Sequence, residues 1–257
     1  MDFHDYHIWP ILRIKLFFYL INRIENVGNE RVNKQQSNDT RKQKHRVPIT
    51  NKVKRFFSIP YYTIKYIVWL NVLRKKSIIF FGSKTHRVNY KENYFNKFFD
   101  VLITNKTINS DFYFFENNTR YSADFLYPKK VIFTETIFFE FVQFESFFRK
   151  FKNSKKNKNK FTEYDEFIQF LKKDEITHEF AINNTFDNFT KSLNLNFLPK
   201  VIFYQRLLKK IKPKKLYLLC YYSDLALVGV ANKLNIETIE MQHGSQTMEH
   251  LCYGSWT

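Results

Sequence analysis

Gln242, His243 and Gly244 stand side by side near the end of the chain, and His250 and Tyr253 follow within the same short segment. An imidazole titrates close to neutral pH. It can therefore take a proton from an attacking hydroxyl or donate a hydrogen bond to a sugar or phosphate oxygen. Gln242 offers both a donor and an acceptor to a hydroxyl-rich ligand. Gly244 lets the backbone turn sharply or pass close to a bound molecule. The same triplet reads equally well as a loop whose His243 caps a helix starting near Ser245. A second group, His86 and Arg87 with Ser83 and Thr85, follows Gly82. It reads either as a ligand-facing loop or as a surface turn.

Such side chains need a scaffold, and the preceding residues supply one. Leu216 to Cys220 is a short apolar run of the kind that forms a strand buried on both faces. Ser223 can cap the next segment, in which Leu225, Ala226, Val228, Ala231 and Leu234 recur at helical spacing. Asn235 can close that helix, and Ile236 to Met241 reads as a second strand. The three pieces form a βαβ unit with parallel strands and a right-handed crossover. Gln242, His243 and Gly244 then emerge past the carboxyl end of a parallel strand, where open α/β sheets bind ligands. His86 and Arg87 occupy the corresponding place after an earlier strand, Ser77 to Phe81.

Pro10 suits the first turn of a helix that runs to Ile24 with Ile11, Ile14, Phe18 and Ile21 along one face. Arg13, Lys15 and Arg23 lie among the apolar residues, which favours a core helix docked on a sheet over one lying on a membrane. Residues 26–54 turn polar and read as a linker or solvated loop. A helix over Tyr61 to Leu73 and strands over Asp111 to Glu116 and Val131 to Phe133 follow. Thr134 to Phe151 reads as a Phe-rich helix, apolar on almost every side and so expected to be well buried. Lys150 to Lys160 is a basic loop, and Phe161 to Leu171 and Phe197 to Ile211 read as helices. Strands alternating with helices predict an α/β fold, a Rossmann-like parallel sheet flanked by helices, in a single domain over residues 1–257.

The chain carries a formal net charge of +18. Its partners should therefore be anionic: nucleic acid, a membrane face or phosphorylated substrates. No RRM, KH or helix-turn-helix pattern supports specific nucleic-acid recognition. Only 5 Gly in 257 residues leave no Gly-rich phosphate cradle, and no Walker or dinucleotide motif occurs. No CxxC or HExxH is present, and His243 and His250, seven apart with Glu249 beside the second, lack a third convergent ligand, so neither metal nor cofactor is expected. No GxSxG elbow indicates a hydrolase. Cys220 and Cys252 make no disulfide framework, which points to a reducing cytoplasm. Neither a secretory signal nor a spanning helix is visible.

The segment IETIEMQHGSQTMEHLCYGSW resembles the ELQHG…H..Y block of bacterial surface-polysaccharide glycosyltransferases of the GT-B type, which build capsule and lipopolysaccharide. IWPILRIKL and FFGSKTHRV…FNKFFDVLI resemble the amino-terminal half of such proteins. The resemblance implies the acceptor-side half of a GT-B fold, in which two Rossmann-like domains face each other across a cleft. It implies a nucleotide-sugar donor and a glycan or lipid-linked acceptor, with contact at an anionic cytoplasmic membrane face. His243 would be the base that deprotonates an acceptor hydroxyl, or would orient the donor. Gln242, Gly244, His250 and Tyr253 would line the cleft, with His86 and Arg87 further out. The chain stops at Thr257, just where such proteins continue into a donor domain. A truncated transferase, poor in sugar transfer by itself, is therefore the expectation. A non-catalytic scaffold or a basic nucleic-acid-binding protein is the alternative.

Overall fold

The structure, a computed structural model, describes residues 2–3, 6–33, 49–82, 86–90, 93–105, 108, 111–116, 124–152, 162–219 and 224–241. In chain order the elements are β1 (Asp2–Phe3), β2 (Tyr6–His7), α1 (Trp9–Asn33), α2 (Ile49–Val72), β3 (Ile78–Gly82), β4 (Arg87–Tyr90) and β5 (Asn93–Asn96). Next come α3 (Phe99–Thr104), β6 (Phe112–Glu116), β7 (Asp124–Phe125), β8 (Val131–Phe133), α4 (Glu135–Lys152), α5 (Thr162–Lys172), α6 (His178–Asn183) and α7 (Phe186–Ser192). A π-helical turn, Leu193–Phe197, leads into α8 (Leu198–Ile211), followed by β9 (Lys215–Leu218), α9 (Leu225–Lys233) and β10 (Glu237–Glu240).

Where the sequence reading has one domain, the contacts gather the described residues into two compact units, one drawn from Met1–Ile59 and Lys155–Ser192 and the other from Pro60–Ser154 and Leu193–Ser245. The first is mainly helical, with the antiparallel β1–β2 pair at its start. Trp9 meets the Phe167 ring edge-on at 4.8 Å, Tyr19 meets Phe180 at 5.4 Å, and Tyr164 stacks on Phe189 at 5.2 Å. The Tyr164 hydroxyl donates to the Asn184 carbonyl at 2.6 Å. Burial lowers the pKa of Lys15, whose ammonium sits over the Phe189 ring. The helix expected to dock on a sheet thus packs on other helices. It also continues to Asn33, and α2 begins at Ile49, so both ends of the expected 26–54 loop are helical. Straight-chain residues such as Glu25, Glu30 and Arg31 suit a helix whether or not they are buried.

The second unit holds a parallel five-stranded sheet in the order β10-β9-β3-β6-β8. Counted along the chain, this is fifth, fourth, first, second, third, the order of doubly wound α/β sheets and compatible with a Rossmann-like fold. Strand alternation sorts the side chains into two layers. On one face Phe80 lies 4.8 Å from Phe114, 5.1 Å from Phe99 of α3 and 5.0 Å from Tyr217. On the other, Phe81 stacks on Phe115 and meets Tyr204 of α8 edge-on; α8 in turn packs on α4 and α9.

Most strand and helix readings hold to within a residue or two, but α1 runs nine residues past the expected Ile24 and α2 starts twelve residues before the expected Tyr61. An expectation of burial fails as well. Among the described side chains of α4 only Phe141 is buried, while Phe139 and Phe148 are 54% and 47% exposed. Helix α4 meets α8 through Phe138 and Phe141, and α2 through Phe141 and Glu140.

Candidate functional site

Because β3 is the first strand and β9 the fourth, the chain leaves β3 in one direction and returns on its other side. The carboxyl ends of β3 and β9 flank that switch point, where the crevice of an open α/β sheet lies. The βαβ unit predicted around β9 is present, with Leu216 opposite Thr238 and Leu218 opposite Glu240 in parallel register. Asn235 adopts φ 55°, the left-handed closure expected of an Asn that ends a helix. The cap at the other end differs from expectation. Asp224, one residue after Ser223, accepts from the Leu227 amide at 3.4 Å.

Asp224 also receives a hydrogen bond from the Tyr204 hydroxyl of α8. Burial raises the pKa of both groups. For Tyr204 the negative charge of Asp224 adds to that effect; for Asp224 the Tyr204 hydrogen bond and the charge of Lys200 oppose it. The pair ties the start of α9 to α8, just past the carboxyl end of β9.

A second polar cluster sits at the carboxyl ends of β3 and β6. Arg87 does not lie in a βα loop as expected; it opens β4, which pairs antiparallel with β5 in a small sheet completed by β7. Its Nη2 and Nε donate to Glu116 Oε1 at 2.6 and 2.9 Å. Its Nη1 donates to the Tyr94 carbonyl at 3.2 Å and to Asp100 Oδ2 at 3.4 Å. The guanidinium carbon lies 4.6 Å from the Phe125 ring centroid and 5.3 Å from that of Phe114. Side-chain exposure of Arg87 is 1% and that of Glu116 is 0%. A ligand would therefore feel Arg87 through the hairpin it holds, not by contact.

Asp100 accepts from the Asn96 amide at 2.6 Å, while Asn96 Oδ1 caps α3 by accepting from Phe98 and Phe99 at 3.1 and 3.0 Å. One guanidinium shared by two buried carboxylates cannot balance both. Burial, helped by the charge of Glu116, pushes Asp100 up to about 6, against the pull of the Asn96 amide and Arg87. Gly82 belongs to this cluster by its lack of a side chain. A Cβ there would stand 2.5 Å from Glu116 Oε1, so any larger residue would have to push that carboxylate away from Arg87.

Of the residues singled out from sequence, His86 is half-buried, its ring edge-on to Phe98 at 5.7 Å, directly before Arg87. Gln242, His243, Gly244, His250 and Tyr253 lie outside the described residues, as do Ser83, Thr85 and Ser223. The described chain ends at Met241, whose amide donates to the Leu218 carbonyl at 2.8 Å. Sequence reading missed Glu116, Asp100, Tyr204 and Asp224. The acid ending the apolar strand DFYFFE was the available signal for Glu116. Nothing in the spacing joins Tyr204 to Asp224.

Among the described residues no group of three His, Cys, Asp or Glu side chains is placed to hold a metal ion. None of their helices is long and apolar enough to cross a membrane. Compared with known proteins, the chain matches no family model, no curated protein and no solved structure.

Proposed function

We propose that the chain is the acceptor-side half of a GT-B sugar transferase that passes a sugar from a nucleotide-sugar to a surface-polysaccharide or lipid-linked acceptor. One observation carries the reading: a doubly wound parallel sheet whose last strand, β10, leads directly into Gln242, His243 and Gly244. Loops at the carboxyl ends of such a sheet are where a polar ligand meets backbone and side-chain donors. In this proposal His243 accepts the proton of the attacking acceptor hydroxyl as the new glycosidic bond forms and the nucleoside diphosphate leaves. Gln242 orients hydroxyls beside it, and the backbone at Gly244 approaches the ligand. The Arg87–Glu116–Asp100 cluster fixes the β4–β5 hairpin beside the switch point and thereby positions His86.

The test is transfer of labelled sugar from nucleotide-sugars to lipid-linked acceptors by the complete gene product in membranes. Removing a general base lowers turnover by about 10²–10⁴-fold. His243→Ala is expected to fall in that range with little change in KM for the donor. Transfer at the unmutated rate would remove His243 from the chemistry. Absence of transfer from every nucleotide-sugar tried, with the unmutated protein folded, would remove the sugar-transfer reading.

A further inference from the structure

We infer that the outward face of α2, together with the amino edge of the five-stranded sheet, is a docking surface for an anionic lipid bilayer. Helix α2 is apolar on two sides. Its inner side, Tyr66, Trp69 and Leu73, turns inward; Tyr66 and Trp69 pack against Phe203 of α8, and Tyr66 also meets Phe141 of α4. Its outer side carries Tyr61, Ile64, Ile67, Val68 and Val72, which are 63%, 62%, 48%, 57% and 72% exposed. At 100° per residue these five occupy one continuous arc, with Asn71 the polar residue within it. A surface helix ordinarily turns polar residues outward, so an exposed apolar stripe of this length marks an interaction site.

The occupant follows from what adjoins the stripe. Helix α2 runs straight into Arg74 and Lys75, both exposed. The backbone then joins the end of α8: the Lys76 amide donates to the Ile211 carbonyl at 3.1 Å and the Lys214 amide to the Ser77 carbonyl at 2.8 Å. That junction brings Arg74 and Lys75 beside the KKIKPKK segment, in which Lys209, Lys212 and Lys214 are exposed. The nearby acids are already engaged, Asp111 by Lys76 and Lys130 and Glu237 by Lys215. A stripe of apolar side chains ending in a cationic cluster matches a helix lying in the interface plane of an anionic membrane. A nucleic acid would engage the cations and leave the apolar stripe in water. A second copy of a chain with net charge +18 would bring like charge against like. The inference stands on unit-two geometry alone and does not depend on the sugar-transfer reading.

The experiment is co-sedimentation of the full chain with vesicles of phosphatidylcholine and with vesicles enriched in phosphatidylglycerol, beside sedimentation velocity without lipid. Binding to the phosphatidylglycerol vesicles, weakened by high salt, is expected. Ile64→Asp/Val68→Asp and Lys209→Glu/Lys214→Glu, all at exposed positions, should each weaken it by about tenfold or more while leaving the circular-dichroism melt unchanged. Equal binding to both vesicle types, or unmutated binding by the two double variants, would overturn the inference. So would a lipid-free dimer abolished by Ile64→Asp/Val68→Asp, which would make the stripe a self-association face.

Discussion

At Asp100 a single carboxyl shares one guanidinium with Glu116, and the geometry says which of the two yields. Glu116 takes two of the three guanidinium nitrogens at 2.6 and 2.9 Å, while Asp100 has one long contact at 3.4 Å. Asp100 is pushed up to about 6 from an ordinary 3.8, so the folded state binds its proton more tightly than the unfolded chain. The contribution of this group to stability therefore falls as pH rises from about 4 to about 6 and stays low above that. Asp100→Asn keeps an oxygen for the Asn96 amide and removes the excess charge. It should exceed the unmutated protein in stability at pH 7 by up to roughly 3 kcal/mol, the equivalent of that displacement. The gap should close toward pH 4. Urea denaturation of both proteins at pH 4, 5, 6 and 7 measures this, and a gap independent of pH would show that Asp100 ionises normally. The cluster was only half legible in sequence. Arg87 was visible as a polar residue after a strand, but its partners come from β6 and from the start of α3, and nothing local pairs them.

At the scale of elements, α9 shows how local rules and tertiary contacts divide the work. The helix and its Asn235 closure follow from spacing and from the tolerance of Asn for left-handed backbone. Ser223 and Asp224 are both good capping residues, and Asp224 is the one whose carboxylate also receives the Tyr204 hydroxyl. Asp224→Ala loses the cap and leaves that hydroxyl without its acceptor, and should cost about 2–3 kcal/mol. Asp224→Asn retains an acceptor and should recover most of the loss, the more so because burial already favours the uncharged carboxyl. Thermal or urea unfolding of the two variants decides it; equal losses would mean the charge, not the hydrogen bonding, matters. For α4 the local reading failed in a different way. Seven Phe spread around a helix of 18 residues give little direction, and packing against α8 and α2 selected Phe141 for burial over Phe139 and Phe148.

For the whole molecule, the arrangement of the second unit ranks its strands. Strand β3 has parallel partners on both sides, and Ile79 and Phe80 are fully buried. Strand β8 has one partner and a partly exposed Phe133. Amide exchange should thus be slowest for Ile79, Phe80 and Phe81, by factors of at least ~10² over Ile132 and Phe133. Mass spectrometry of exchanged peptides tests this, and equal protection of β3 and β8 would contradict the strand order.

By itself the sequence determined what short-range periodicity encodes: the βαβ unit around β9 and β10, the apolar central strands, the helices, and a strongly basic charge. It also located the residue types able to handle a hydroxyl, because His, Gln and Gly at the end of a strand pattern are visible without a fold. Only the tertiary structure decided the order of the strands, the division into two units, the partners of Arg87, and which face of α2 remains in water. Those depend on contacts between residues far apart in the chain, where the free energy of burial and charge pairing is shared among elements that no local pattern connects.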